Sequence, residues 1–351
     1  MGKDIKFGLS APMPGADVDG LIEFSVKADK MGFDAVWYPD HLLFVAPGAI
    51  APEAWTVATA AATCTENIQL GTVSDPHRMH PAVFAQRLAT IDQLSKGRVT
   101  ATLGVGESMN LDAFGIEWDR PLGKLRESMQ VMDLLWATED PVDFDGEFYK
   151  LEDAFLQIKP YKRNKIPFYI ASHTPKGLRL AGEKGNGWLP IDLNPKLYEK
   201  YYGDIKKAAD DAGRSLDGFD PALWVFTSLG NNVDEAYKTL EPFKYVLIMQ
   251  EQLANAGYDV DIPEEYKGLN YFNVVPTAEE KKKKFRELGQ FFPREAVLDF
   301  TITGSKKDCI EKIEKFVDVG VKNFCLFYRF SPDPDKALEI YSKEIIPYFK
   351  D

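Results

Sequence analysis

The stretch Val99–Asn110, VTATLGVGESMN, decides the fold of this chain. Its first six residues alternate apolar side chains with small or polar ones, a period of two that is typical of a β-strand. Gly104 and Gly106 follow, where the backbone can turn sharply or approach a ligand closely. Glu107 then lies just beyond the carboxyl end of the strand, where catalytic residues collect in a barrel of parallel strands. A solvated residue, or a cap on the following helix, is the alternative role for Glu107.

The rest of the chain repeats the same unit of strand and helix. Eight short apolar runs predict strands, and stretches with helical spacing separate them. They are Lys6–Ser10, Ala35–Tyr38, Ile68–Val73, Val99–Gly104, Pro167–Ala171, Gly187–Ile191, Leu223–Ser228 and Asn323–Phe330. Strands joined through helices form a parallel sheet, and eight such units in 351 residues predict a closed (β/α)8 barrel of the TIM type. No GxGxxG sequence opens the first helix, which weakens the alternative of an open dinucleotide-binding sheet.

We expect a single domain over residues 1–351, because no linker rich in serine, glycine or proline divides the chain. Two insertions exceed a minimal barrel. Residues 142–160 contain Asp145-Gly146 between alternating aromatic residues, which predicts a hairpin. Residues 241–294 are mostly helical in composition and are followed by a strand-like run, Val297–Thr303. Long insertions at the loop face commonly shape a substrate pocket, so we place substrate specificity in residues 241–294.

Composition indicates a small-molecule partner. The net charge of −12 argues against binding to nucleic acid or to an anionic membrane, because either surface requires a basic patch. The three cysteines lie far apart in the sequence and predict neither a disulfide framework nor a zinc site, and we expect no metal. No apolar run is long enough to span a bilayer and no secretion signal precedes Ile5, so we expect a cytoplasmic protein.

Polar and titratable residues follow four of the predicted strands. They are Asp40 and His41 after the second strand, Thr72, Val73, Ser74, Asp75 and His77 at the third, Gly106 and Glu107 at the fourth, and Ser172, His173, Thr174 and Lys176 at the fifth. Because the carboxyl ends of parallel strands meet at one face of a barrel, these residues predict an active site there. Three of the four histidines lie in these loops, and an acid or base role is natural for one of them. His80, at a helix start before Pro81, is expected to be structural.

The loop Ser172–Lys176 predicts a second kind of contact. It leads from a strand into a helix, and the backbone N–H groups at a helix amino terminus suit a phosphate. Lys176 adds positive charge. An ordinary N-cap with proline in the first turn explains the same residues equally well.

At these residues the chain resembles the bacterial luciferase-like superfamily, and within it the branch of coenzyme F420-dependent oxidoreductases. The similar stretches are Gly32–Leu42 (GFDAVWYPDHL), Leu70–Val99, Leu103–Asn110 (LGVGESMN), Val142–Pro160 and Ser172–Gly182 (SHTPKGLRLAG). The resemblance covers nearly the full length. It implies a TIM-type barrel that binds F420 with the deazaflavin ring in the barrel mouth, with FMN as the less favoured cofactor. A homodimer is a further expectation from the family.

The resemblance also implies roles for individual residues. The family's Asp-His pair matches Asp40 and His41, and its active-site glutamate matches Glu107. His41 is then the base or acid on the substrate oxygen, Glu107 a second proton-handling group, and Asp40 the residue that orients or stabilises His41. Cofactor contacts are implied for Asp40, Thr72, Val73, Ser74, Asp75, Gly106, Glu107, Ser172, His173, Thr174 and Lys176.

The expected reaction is hydride transfer between C5 of F420 and a small organic substrate, an alcohol and ketone pair. A methylenetetrahydromethanopterin reductase is one alternative, since its family resembles Val73–Pro81 and Thr303–Cys309 but usually lacks the GVGE form seen here. An FMN-dependent luciferase-like monooxygenase is another, and a cofactor carrier without catalysis is a third. Where relatives carry a tryptophan after the histidine, this chain has Phe44 and Val45. The cationic residues that hold a sugar phosphate in glucose 6-phosphate enzymes have no clear match.

Overall fold

The computed structural model describes residues 5–12, 16–44 and 50–350, so Val45 lies outside the described residues. The strands in these ranges are β1 (Lys6–Ser10), β2 (Ala35–Pro39), β3 (Gln69–Ser74), β4 (Val99–Leu103), β5 (Val142–Asp145), β6 (Lys150–Ala154), β7 (Phe168–Ile170), β8 (Gly187–Trp188), β9 (Asp220–Leu229), β10 (Ile302–Gly304) and β11 (Asn323–Phe327).

Helices alternate with the strands in the same ranges. The α-helices are α1 (Val18–Lys30), α2 (Ala54–Cys64), α3 (Pro81–Ser95), α4 (Ser108–Leu111), α5 (Pro121–Ala137), α6 (Pro175–Lys184), α7 (Pro195–Asp211), α8 (Val233–Leu240), α9 (Lys244–Leu247), α10 (Gln250–Asn255), α11 (Glu279–Leu288), α12 (Arg294–Phe300), α13 (Lys306–Asp318), α14 (Pro334–Ile340) and α15 (Ile346–Lys350). No helix of the described part of the chain has the length and apolarity needed to cross a bilayer.

Eight parallel strands of the described residues close into a barrel. Their order around the ring is β1-β2-β3-β4-β7-β8-β9-β11, and β11 pairs with β1 to complete it. All eight strands predicted from the sequence are present in this ring, so the (β/α)8 barrel is confirmed. Three of them are clearly shorter than expected, since β7 covers only Phe168–Ile170, β8 ends at Trp188 and β11 ends at Phe327.

Polar caps position the helices that return the chain around the barrel. Asn194 accepts a hydrogen bond from the backbone N–H of Leu197 at the start of α7, and Pro195 occupies the first helical position. Ser305 and Asp308 form a capping box at the start of α13. Such caps satisfy the free N–H groups at a helix amino terminus, so each helix begins at a defined residue after its strand.

The expectation of a strand over Val297–Thr303 is wrong in its first part. Residues Arg294–Phe300 form α12, and only Ile302–Gly304 is extended, as β10 beside the carboxyl end of β9. Ala296, Val297 and Phe300 are the buried residues of α12. Their spacing of one, three and four residues is that of a helix face, which a short apolar run does not distinguish from a strand.

The two insertions have different structures. The predicted hairpin is confirmed, because β5 and β6 pair antiparallel, with Phe144 opposite Leu151 and Asp145 opposite Lys150. Residues 241–294 contain α9, α10 and α11 joined by turns. This second segment buries Val274 and other apolar residues in the same core as the barrel.

A tryptophan inside the barrel depends on two glycines on neighbouring strands. Trp37 of β2 is fully buried. A Cβ on Gly71 of β3 would lie 2.1 Å from its ring, and a Cβ on Gly8 of β1 would lie 3.1 Å from its Nε1. The small residues at these positions therefore make room for an indole in the barrel core.

Gly71→Ala should destabilise the protein by roughly 1–3 kcal/mol, because the new methyl group overlaps the indole of Trp37 in a packed core. Urea unfolding followed by circular dichroism measures the change. Gly203→Ala in α7 is the control, since a Cβ there meets nothing within 4 Å. That helical substitution should be neutral or stabilise by up to about 1 kcal/mol. Equal changes in the free energy of unfolding in the two variants would contradict the packing argument.

Candidate active site

The carboxyl ends of β2, β3 and β4 come together at one face of the barrel. The strands are in register there, with Pro39 opposite Val73 and Ser74 opposite Leu103. The loops that follow them bring Asp40, His41 and Glu107 into one site.

His41 and Glu107 form the centre of this site. The His41 Nε2 atom lies 3.6 Å from Glu107 Oε2, and the two side chains are only 22% and 16% exposed. The ring of Phe44 packs against the imidazole with 4.7 Å between ring centroids. Within the described part of the chain, the buried Nδ1 atom of His41 has no hydrogen-bond partner. At this distance the two groups interact electrostatically without a hydrogen bond, and a shorter approach is needed for proton transfer between them.

Asn110 connects this pair to the loop after β2, and sequence reasoning missed it. Its Nδ2 donates a 2.9 Å hydrogen bond to Glu107 Oε2. Its Oδ1 accepts hydrogen bonds of 2.8 Å from the backbone N–H groups of Leu42 and Leu43. One buried side chain thus holds the glutamate and the histidine loop in fixed relation. The available signal was its place three residues after Glu107, on the same face of a helical turn.

Arg78 is a second such residue, which the sequence places among the polar residues after the third strand without indicating its role. Its Nη2 lies 2.6 Å from Asp40 Oδ2 and its Nε 3.0 Å from Asp75 Oδ2. Its Nη2 also donates to the backbone carbonyl of Asp40 at 2.8 Å. Asp40 was expected to orient His41, but its carboxylate pairs with Arg78 instead. Any effect of Asp40 on His41 therefore passes through the backbone that joins these neighbouring residues.

Burial changes the proton affinity of the carboxyl groups. It raises the pKa of Glu107, although the nearby His41 and the hydrogen bond from Asn110 act in the opposite direction. Burial also raises the pKa of Asp40, against the effect of the Arg78 charge. A carboxyl group with a raised pKa can keep a proton closer to neutral pH, as an acid catalyst requires.

The predicted cofactor residues of β3 are largely engaged in internal hydrogen bonds. Thr72 and Ser74 share one of 2.9 Å between their hydroxyl groups, and Ser74 Oγ also accepts from Trp55 Nε1 at 2.9 Å. Asp75 Oδ1 accepts from the backbone N–H of His77. These hydrogen bonds hold the side chains in place beneath the site. Contact of these residues with a cofactor stays a prediction.

The loop after β7 has the geometry of an ordinary cap. Thr174 Oγ1 accepts a 3.2 Å hydrogen bond from the Gly177 N–H at the start of α6, and Ser172 Oγ accepts one from the Thr174 N–H. His173 Nε2 donates to the Ile191 carbonyl at 2.5 Å, and burial lowers its pKa to about 4. His173 is therefore neutral at physiological pH and joins two loops. Lys176 is exposed, and a phosphate contact at this loop stays a prediction.

The insertion 241–294 reaches the site through one backbone carbonyl. The Phe272 carbonyl accepts hydrogen bonds from the Ser108 hydroxyl at 3.1 Å and from the Met109 N–H at 2.9 Å. Ser108 directly follows Glu107, so the insertion covers the glutamate. No group of three or more His, Cys, Asp or Glu side chains in the described ranges is arranged to hold a metal ion.

Comparisons with known proteins agree with this architecture. A family model described as luciferase-like monooxygenase matches residues 5–323. A 5,10-methylenetetrahydromethanopterin reductase of Archaeoglobus fulgidus is 30% identical over 94% of this chain and 96% of its own. An F420-dependent glucose-6-phosphate dehydrogenase of Microbacterium testaceum is 29% identical over 98% of this chain and 97% of its own. Among solved structures, an F420-dependent secondary alcohol dehydrogenase with an F420-acetone adduct matches with a TM-score of 0.84 at 25% identity, over 99% of both chains.

Arg78→Met should destabilise the protein by about 3–5 kcal/mol, because it leaves the carboxylates of Asp40 and Asp75 buried without a counter-charge. Chemical unfolding measures the loss. Arg87→Met is the control, since Arg87 pairs with Glu53 at 2.9 Å while the side chains are 32% and 43% exposed. Removing that surface pair should cost less than about 1 kcal/mol. Similar losses in both variants would show that burial does not determine the effect.

Glu107→Gln should raise the melting temperature at pH 7.5 by about 2 °C, and by less at pH 5. The pKa of Glu107 is raised on folding, so its contribution to stability is full below the unfolded pKa and is lost as pH rises through the folded pKa. At pH 7.5 the folded wild type must either ionise this buried carboxyl group or keep a proton that the unfolded chain releases. Both reduce its stability, and the amide avoids both. Glu117→Gln, at an exposed position, is the control and should change the melting temperature by the same amount at pH 7.5 and at pH 5. If the increase in melting temperature of Glu107→Gln were no larger at pH 7.5 than at pH 5, the raised pKa of Glu107 would be contradicted.

Proposed function

The chain belongs to the luciferase-like monooxygenase family, and from that premise we propose that it is an F420-dependent oxidoreductase acting on an alcohol and ketone pair. The hydride moves between the substrate carbon and C5 of F420. The observation that carries the proposal is the His41–Glu107 pair, 3.6 Å apart at the barrel mouth. The names of the similar reductases and dehydrogenases support the cofactor.

We expect the ring of F420 to lie at the barrel mouth beside Gly106. Gly106 has a φ of +79°, and a Cβ there would lie 3.0 Å from Leu111 and 3.2 Å from Asp75. Both the backbone conformation and the neighbouring side chains therefore require glycine at this position. Gly106 and the partly exposed Val73 would contact the ring, and Asp40 would contact its polar edge. When bound, F420 supplies a two-electron hydride acceptor or donor at C5.

His41 handles the substrate proton in this proposal. In the oxidation direction, His41 would take the proton of the substrate hydroxyl, and F420 would supply the acceptor for the hydride. Glu107 stabilises the positively charged imidazole, and Asn110 holds the glutamate in place. In the reduction direction, His41 returns the proton to the carbonyl oxygen. General acid–base catalysis of this kind accelerates a reaction by about 10²–10⁴-fold.

A second candidate is a reductase of a pterin-bound one-carbon unit. Partly exposed phenylalanines gather beyond the carboxyl ends of β9 and β11. Phe330 packs against Phe226, Phe243 and Phe327 with centroid distances of 5.8, 5.0 and 5.3 Å. Such an aromatic surface suits a flat ring system. The similarity to a methylenetetrahydromethanopterin reductase favours the same candidate. An FMN-dependent monooxygenase is a third candidate, favoured by the family's description, and it would consume oxygen.

Titration of the apoprotein with F420 and with FMN, followed by tryptophan fluorescence, tests the cofactor. We expect tight binding of F420 alone. Preferential binding of FMN would overturn the cofactor assignment and favour the monooxygenase. Light scattering on the same sample tests the homodimer, which stays a prediction.

His41→Ala should lower turnover by about 10²–10⁴-fold and leave the F420 dissociation constant nearly unchanged. Hydride transfer is measured by F420 absorbance in a screen of secondary alcohols and methylenetetrahydromethanopterin. His80→Asn is the matched control, because His80 is a histidine that caps α3 through its ring. It should retain full turnover. Equal loss of turnover and cofactor affinity in His41→Ala would contradict the catalytic role.

A further inference from the structure

Asp192 is a buried carboxyl group that the proposed mechanism does not use. It follows β8 and is only 3% exposed. Among the described residues, neither of its carboxyl oxygens has a hydrogen bond of normal geometry. Buried polar atoms are nearly always paired. The Tyr271 hydroxyl faces this carboxyl group, which leaves hydrogen-bonding capacity on the carboxyl for a bound group.

The backbone of Asp192 is held in an unfavourable conformation. Its φ is +55°, in the left-handed region that non-glycine residues rarely adopt. Contacts on both sides enforce it, since the Ile191 carbonyl accepts a 2.5 Å hydrogen bond from His173 and Asn194 caps α7. Strained residues fixed by their surroundings cluster at functional sites.

The order of strands places Asp192 across the mouth from His41. Around the ring, β8 is four strands from β2 in either direction, through β3, β4 and β7 or through β1, β11 and β9. His41 follows β2 and Asp192 follows β8. The two residues therefore follow strands on opposite sides of the ring, and Glu107 follows β4, which lies between those two strands.

Tyr271 of the insertion connects these groups. Its hydroxyl faces Asp192, and burial together with the charges of Asp192 and Glu107 raises its pKa. The adjacent Phe272 carbonyl is tied to Ser108 and Met109 beside Glu107, which fixes the tyrosine over the site. The charges of both Asp192 and Glu107 affect the pKa of Tyr271, so its side chain lies near these two carboxyl groups.

We propose that Asp192 and Tyr271 bind a second oxygen of the substrate, so that the enzyme selects a molecule with a hydroxyl or carbonyl oxygen besides the one that reacts. This inference rests on the proposed function, in which His41 holds the reacting oxygen. Burial also raises the pKa of Asp192 well above its usual range, so the protonated carboxyl can donate as well as accept a hydrogen bond.

The charges at the mouth exclude an anionic group at this position. Asp40, Asp75, Glu107 and Asp192 supply four carboxyl groups, and Arg78 is already paired with two of them. An anion beside Asp192 would either meet a like charge in a desolvated site or require that carboxyl group to keep its proton. A neutral oxygen avoids that repulsion and satisfies the free carboxyl atoms.

The test measures binding of two ketones that differ in one hydroxyl group. Acetone and hydroxyacetone are titrated into the protein loaded with oxidised F420, and ligand-observed NMR gives each dissociation constant without turnover. We expect the wild type to bind hydroxyacetone about tenfold more tightly than acetone. Asp192→Ala and Tyr271→Phe should reduce this preference severalfold while acetone affinity stays the same.

Conservative variants distinguish the loss of the proposed binding contact from misfolding of the protein. Asp192→Asn keeps hydrogen bonding and suits a positive φ, so it should retain much of the preference. Asp133→Asn, at a partly buried aspartate, and Tyr266→Phe, elsewhere in the insertion, should leave the preference unchanged. The proposal would be overturned if the wild type bound both ketones equally well, or if Asp192→Ala lost the same factor of affinity for acetone and for hydroxyacetone.

Turnover of 2-propanol and 1,2-propanediol separates this proposal from the proposed function. Selective hydroxyacetone binding without hydride transfer from either alcohol would contradict the alcohol chemistry and leave the second oxygen site standing. Transfer from both alcohols with equal kcat/KM, together with equal ketone binding, would leave the chemistry standing and overturn the second site.

Discussion

The ion pairs of Arg78 are the interaction on which the rest of the site depends. One guanidinium neutralises Asp40 from the loop after β2 and Asp75 from the end of β3. Both carboxylates are almost fully buried, so each would be costly without a counter-charge. The pairing also fixes the start of the loop that carries His41. A planar cation with several N–H donors is suited to this task, because it can bind two carboxylates and a backbone carbonyl at once.

Asn110 completes the arrangement from the other side. It joins Glu107 to the backbone of the histidine loop, so the distance between the two proton-handling groups is set before any ligand binds. This preorganisation has a cost in stability, because Glu107 is buried with a raised pKa. Active sites commonly accept such costs, since a carboxyl group that keeps its proton near neutral pH is chemically useful.

The insertion 241–294 lies over the loop face of a barrel whose eight strands already close the ring without it. It is attached beside Glu107 through the Phe272 carbonyl, which accepts two hydrogen bonds, and elsewhere through side-chain hydrogen bonds such as that of Gln252 with Tyr201. The apolar residues of the insertion pack into the main core, which fixes its position on the barrel. Loops at this face can differ in length and composition without disturbing the strands, which lets one barrel serve several substrates.

The sequence by itself determined the eight strands, the barrel and the position of His41 and Glu107 at strand ends, because alternation and turn residues are local signals. It failed at α12, where a short apolar run fits a helix face as well as a strand. Only the tertiary structure decided that Asp40 pairs with Arg78, that Asn110 holds Glu107, and that Asp192 lies across the mouth from His41. These partnerships join residues on different strands. They depend on strand order and register around the closed ring, which no local pattern encodes.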